Sequence, residues 1–233
     1  MTTPKSEFLA GIKAEIPITL GVLPFGLIYG VLAIAAGLPP LLAIASSSIV
    51  FAGSAQFIGA QLIGASTPGL VIWLTTFIVN LRHMLYSTSL APHTKHLSRP
   101  WKWLLAYLLT DEAYVVTALH YQNKGVPETY KHYFWTGSGI TLWITWQLST
   151  AAGVFFGTQV PASWSLDFTL ALTFIGMVVP LCHERPNLAA ALAAGIVAIL
   201  TFGWPYRLGL MAAALSGIIA GILVEKYRYR KLS

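Results

Sequence analysis

Charge is what this sequence has least of. Asp, Glu, Lys and Arg make up 9% of its 233 residues, against about 25% in a soluble domain. Hydrophobic residues make up 56%, the mean hydropathy is +0.68, and no carboxylate lies between Glu15 and Asp111. Too few ionised groups are present to cover a water-solvated surface, so the chain reads as an integral membrane protein in a lipid bilayer. Cysteine is nearly absent: Cys182 stands alone, which excludes an intramolecular disulfide, thiol-pair redox chemistry and a Cys-rich metal site. There is no Walker loop, no G-x-G-x-x-G after a strand, no G-x-S-x-G and no H-E-x-x-H. ATP hydrolysis and nucleotide binding are left without residues to carry them. No enzyme and no cofactor are expected. His93 and His96 have no third ligand near them in sequence, so no metal is expected either, and both read as loop residues. The net charge of +6 gathers at the ends of apolar stretches and not over a soluble face, which speaks for membrane topology and against nucleic acid.

What the chain does have is apolar stretches, at 17–36, 41–64, 69–91, 102–120, 133–157, 165–182, 187–204 and 206–224. Most approach the roughly 20 residues that span a bilayer. The breaks between them are short and carry Pro or Gly, as in "GLPP" at 37–40 and "STPG" at 66–69. The fold class expected is an all-α polytopic membrane protein of about seven to eight hydrophobic segments, a single transmembrane domain over 1–233. The first stretch exceeds a signal-peptide core and reads as a retained helix.

Loop charge sets the topology. Lys95, Arg99 and Lys102 follow the third stretch, and Lys226, Arg228, Arg230 and Lys231 form the C-terminal tail. The positive-inside rule makes both regions, and the N-terminus with them, cytoplasmic. Full crossing by every stretch would put the connection at 92–101 outside, so one earlier element must not cross. "FAGSAQF" at 51–57 supplies it, because Gly53, Ser54 and Gln56 interrupt the second stretch, which is predicted to be broken or re-entrant. A matching exception is expected in the second half, where "FTLALTFIG" at 168–176 shares Phe51/Phe168, Phe57/Phe174, Ile58/Ile175 and Gly59/Gly176 with 51–59. The halves 17–120 and 133–224 would then form an inverted repeat, the plan of many secondary transporters, whose sites lie at broken helices near the midplane. Ordinary unbroken helices with one local violation of the charge rule are the competing reading.

Polar residues at membrane depth mark candidate sites. Asp111 and Glu112 in "LLTDEAY" read in two ways: a helix end that is solvated or paired with Arg82, or groups that bind an ammonium or a coupling proton. Asn80 and His83 are three apart and share a helix face, and Arg82 points elsewhere as an interfacial anchor. His83 titrates near neutral pH, which suits a proton path as well as a plain hydrogen bond. The tryptophans, among them Trp135, Trp146 and Trp164, fall near segment boundaries as an aromatic belt would. Gly195, Gly209, Ser216, Gly217 and Gly221 suit close helix packing or contact with another membrane subunit.

The order and spacing of "PFGLIYG" at 24–30, "FAGSAQF" at 51–57, "NLRHMLYS" at 80–87 and "LTDEAY" at 109–114 resemble the AzlC/YgaZ family of bacterial branched-chain amino acid exporters. That resemblance implies the large subunit of a two-component exporter in the bacterial inner membrane, working with a small membrane subunit of the AzlD/YgaH type. It also implies an amino acid substrate. The backbone at Gly53 and Ser54 would then meet the charged ends of the amino acid, Phe51 and Phe57 its side chain, and Gln56 and Asn80 would complete the polar shell. His83, Asp111 and Glu112 would serve proton coupling or ammonium binding. A passive channel or pore is the alternative, since small polar residues in a re-entrant segment suit it equally.

Overall fold

The computed structural model describes residues 3–122, 127–156, 182, 185–204 and 208–232, which are helical with no strand among them. They belong to two compact units, Met1–Val160 and Pro161–Ser233.

Helix α1 (Pro4–Ala35) starts well before the predicted 17, because Thr3 and Ser6 form a capping box and Pro4 occupies the first turn. Glu7 and Glu15 therefore lie inside the helix. Its 32 residues extend about 48 Å at about 1.5 Å per residue, longer than the roughly 30 Å hydrocarbon layer. Helix α8 (Glu128–Phe156) lies parallel to α1, and glycines let the two backbones touch near both ends. A Cβ on Gly11 would stand 2.1 Å from the Phe134 carbonyl oxygen, and one on Gly153 would stand 2.1 Å from that of Leu27.

Between these two helices the chain makes two hairpins. Helices α2 (Pro40–Val50) and α3 (Gly53–Gly64) are separated by Phe51, left-handed at φ 39°, and Ala52, which is extended. A Cβ on Gly64 would lie 3.3 Å from Ala36, so α3 ends beside the C-terminus of α1, where α2 begins. The stretch 41–64 is thus a re-entrant hairpin with its tip at 51–52.

Helices α4 (Gly69–Asn80) and α5 (Arg82–Thr94) carry the chain back to the other end. They are joined at Leu81 by i→i−3 bonds, Leu81 N–H to Ile78 O at 3.2 Å and Met84 N–H to Leu81 O at 3.0 Å, which tighten the turn locally. Among the described residues, two helical runs are long and apolar enough to cross a membrane: α1 and the joined 69–94. His93, expected in a solvated loop, lies within α5 and pairs with Glu128 at 2.9 Å.

The stretch 102–120 was expected as one crossing segment, and the structure corrects this. It forms α6 (Arg99–Tyr107) and α7 (Asp111–Tyr121), a second hairpin open at the opposite end from the first. Trp101, near the start of α6, sits 4.6 Å from the His132 ring, and the Tyr121 carbonyl at the end of α7 accepts from Lys131 Nζ at 3.0 Å. Both ends therefore lie beside the start of α8. The break has a local cause: Thr110 is extended, its Oγ1 accepts from Ala113 N–H at 3.3 Å, and Asp111 and Glu112 fill the first turn of α7. A capping threonine followed by two acids starts a helix; it does not continue one.

In the second unit α9 (Arg185–Leu200) packs on α10 (Leu208–Leu232) through Gly217, where a Cβ would meet Ala190 O at 3.0 Å, and Gly221. Gly209 lies against Thr201, and Ser216 bonds the Ala213 carbonyl at 2.8 Å. Among the described residues, nothing lies within 4 Å of the Cβ that Gly195 would carry. The proposed echo at 168–176 lies outside the described residues.

Gly153→Ala is expected to destabilise the purified protein by about 1–3 kcal/mol, the usual cost of forcing extra volume into a packed contact. Gly21→Ala, in α1 with none of the described residues near its would-be Cβ, should not lower stability; thermal unfolding in detergent compares the two.

Candidate functional site

The two hairpin tips and the Leu81 joint meet. Arg82, first residue of α5, donates to Ser54 Oγ in the first turn of α3 and pairs with Asp111 Oδ2 at 3.0 Å in the first turn of α7. Tyr86, one turn further along α5, donates to Asp111 Oδ1 at 2.8 Å. Arg82 is thus a cross-link between hairpins and not the interfacial anchor expected of it. Of the two readings of Asp111, pairing with Arg82 is the one observed.

The ends of the broken helix are treated unequally. The carbonyl end of α2 is covered: Gln147 Nε2 donates to Ser47 O at 3.2 Å, and Tyr107 OH donates to Ser48 O at 2.6 Å. Trp143 Nε1 in turn donates to the Tyr107 hydroxyl at 2.7 Å, and the Phe51 and Tyr107 rings lie 5.8 Å apart. The amide end of α3 has no side-chain cap and no acidic residue in its first turn, so its leading N–H groups keep their positive partial charge. At the start of α7, by contrast, Asp111 and Glu112 supply the negative charge themselves.

Beside that uncapped end lies Gln56, 4% exposed. Its Oε1 accepts from Trp146 Nε1 at 3.0 Å, and its Nε2 has no hydrogen-bond partner. Trp146 also crosses Gly53, where a Cβ would stand 3.1 Å from the indole, and stacks on Tyr29 at 6.1 Å. Tyr29 shares a 2.5 Å hydrogen bond with Ser46 and meets the buried Phe57 ring edge-on at 5.8 Å. Trp135 and Trp146 are thus core residues, 3% and 6% exposed, and not members of an interfacial belt; Trp103, 78% exposed, fits the belt. Trp164 lies outside the described residues.

Phe51, Gly53, Ser54, Gln56 and Phe57 gather around one hairpin tip, and Arg82 ties that tip to Asp111. Asn80 Oδ1, Arg82 Nε and His83 Nε2 are buried without partners, and the His83 ring meets that of Tyr86 at 5.8 Å. Buried polar atoms are usually paired, and these three unpaired ones fall together at the Leu81 joint. Glu112 follows Asp111 in the first turn of α7. Sequence reasoning missed Tyr29, Tyr107, Trp146 and Gln147. The polar pair within "WITWQLST" at 143–150 was the available signal.

The family model described as "AzlC protein" matches residues 17–160, a span that contains both hairpins and α8. The chain belongs to the AzlC family. It is 26% identical over 227 residues to the inner membrane protein YgaZ of Escherichia coli (strain K12), covering 94% of this chain and 89% of that one. It is 26% identical over 203 residues to the branched-chain amino acid transport protein AzlC of Bacillus subtilis (strain 168), covering 85% and 78%. An uncharacterized membrane protein of Archaeoglobus fulgidus is 28% identical over 220 residues, covering 90% and 92%. No solved structure matches the chain. With its AzlC membership and its helical architecture, the chain is an all-α membrane protein.

Asp111→Ala and Arg82→Ala should each cost about 1–3 kcal/mol, between the values for exposed and fully buried pairs. The double variant should cost clearly less than the sum, which thermal unfolding of all four proteins in detergent will show.

Proposed function

We propose that this chain is a secondary transporter that exports branched-chain and other hydrophobic amino acids across the cytoplasmic membrane, coupled to protons, as the large subunit of a complex with a small AzlD/YgaH-type membrane subunit. The observation that carries this reading is the unequal pair of helix starts at the hairpin junction. The start of α7 holds its own carboxylates, and the start of α3 has none. An amino acid supplies the missing anion: its carboxylate sits on the amides of Gly53 and Ser54, and the unpaired Gln56 Nε2 donates to it. Its ammonium faces Asp111 and the unpaired Asn80 Oδ1, and its branched side chain lies toward Phe51 and Phe57. His83 and Glu112 stand next to the Arg82–Asp111 pair and serve proton coupling. The name of the Bacillus subtilis relative, a branched-chain amino acid transport protein, supports the substrate class. The short cationic connection at 92–101, and the C-terminal tail, support cytoplasmic termini.

A passive pore is the second reading, favoured by the opposed re-entrant hairpins themselves, whose helix starts point to one centre as half-helices do in selective channels.

Everted vesicles holding the chain and its small subunit should accumulate labelled valine or leucine when a pH gradient is imposed, and should exchange labelled for unlabelled substrate in counterflow. Asp111→Asn and Glu112→Gln, tested separately, should each impair accumulation. Gln56→Glu, which sets a negative charge beside the substrate carboxylate, should weaken apparent affinity about tenfold or more, equivalent to about 1.4 kcal/mol. Flux without counterflow would establish a pore, and normal transport by both carboxylate variants would remove these residues from the mechanism.

A further inference from the structure

Glu15 has no role in the site described above, yet it is the least solvent-exposed carboxylate among the described residues, with no exposed surface. Ser138 Oγ on α8 donates to its Oε2 at 2.5 Å, and its Oε1 has no partner. None of the ion pairs among the described residues includes it. A carboxyl group enclosed by protein with no cation beside it is a carrier of a proton and not a standing charge.

Its surroundings form a line. On α1, Glu7, Gly11 and Glu15 follow one another in steps of four, and on α7 so do Glu112, Val116 and His120; such steps keep residues on one helix face. The two helices run in opposite directions. His120 Nε2 lies 2.7 Å from Glu7 Oε2, so eight residues further along α1 and eight residues back along the antiparallel α7, Glu15 and Glu112 stand at the same level. Glu112 adjoins the Arg82–Asp111 pair, and the His120–Glu7 pair lies at the end of α1 where α8 begins. Among the described residues, the elements packed most closely on α1 are α8, α3, α7 and α2. From α7 come Asp111, Glu112 and His120, and α2 and α3 carry no charged residue. In α8, Lys131 bonds Glu128 and Tyr121 O, and His132 lies one residue further on. On α1 itself Lys5 and Lys13 are exposed.

We propose that Glu15 is a proton-carrying residue of transport, linking the hairpin junction to the N-terminal end of α1. Its carboxyl O–H proton leaves toward the junction, where Glu112 takes it up when ionised, so that Glu112 becomes neutral as Glu15 becomes an anion. Glu15 regains a proton from the side of the N-terminal end of α1, where the His120–Glu7 pair lies two helical turns away. This rests on the proton-coupled reading above and adds a residue and a route to it.

The test is Glu15→Gln, which keeps the shape and the hydrogen bond from Ser138 and removes the exchangeable carboxyl proton. It is made in the complete complex in everted vesicles, with thermal unfolding in detergent as a check on folding. The expected result is a loss of pH-driven valine accumulation of about tenfold or more, in line with removal of a proton-transfer group. Counterflow exchange without a gradient should persist, and Glu15→Asp should restore part of the driven uptake. If Glu15→Gln loses counterflow together with driven uptake, Glu15 is structural and the proposal is wrong. Driven uptake at the wild-type level in Glu15→Gln also overturns it, and leaves proton coupling standing. A wild type that ignores the gradient overturns the coupling itself, and this role with it.

Discussion

Inside hydrocarbon, a backbone that leaves its helix must have its amides and carbonyls met by other protein groups. The first unit interrupts its helices at 51–52 and at 108–110 and meets this demand by aiming the two interruptions at each other. Tyr107, the last residue of α6, closes a carbonyl of α2, and Arg82 holds a side chain from the start of α3 and another from the start of α7. Neither hairpin is satisfied alone. What remains open once each has served the other is the amide end of α3, and the proposed substrate position follows from that remainder.

The surrounding helices make the arrangement possible. The glycine contacts between α1 and α8 bring two parallel helices to backbone contact, and only a chain that returns between them can connect them. The joined α4–α5 provides that return, and its interruption at Leu81 puts Arg82 where both hairpins reach it. Trp146 and Gln147, on consecutive positions of α8, serve the two sides of the first break, one bonded to Gln56 and the other to Ser47 and Ser48.

Much of this was legible beforehand. "FAGSAQF" stood out because small and amide residues in an apolar run are costly, and loop charge independently asked for an element that does not cross. The second hairpin was read as a crossing helix because its apolar length matched a span, although Thr110, Asp111 and Glu112 spell a helix start. Spacing along one helix suggests an anchor at Arg82, because it does not reveal partners 28 and 29 residues away in sequence. Glu15 was overlooked because it precedes the apolar run, and only the Thr3–Ser6 cap draws the helix back far enough to enclose it.

The close fit of α1 on α8 also bears on motion. Sliding one helix past the other by a turn would drive side chains into the carbonyl oxygens that now face Gly11, Gly30, Gly137 and Gly153. The pair therefore behaves as a fixed post. Under the proposed transport role, opening of the centre would fall to the hairpins, which are short and joined at their tips by hydrogen bonds. A swing of either hairpin would break those bonds and unpack buried side chains as well, Phe57 and Leu62 in the first and Leu105 and Leu109 in the second, so any gate in this unit moves against its own core.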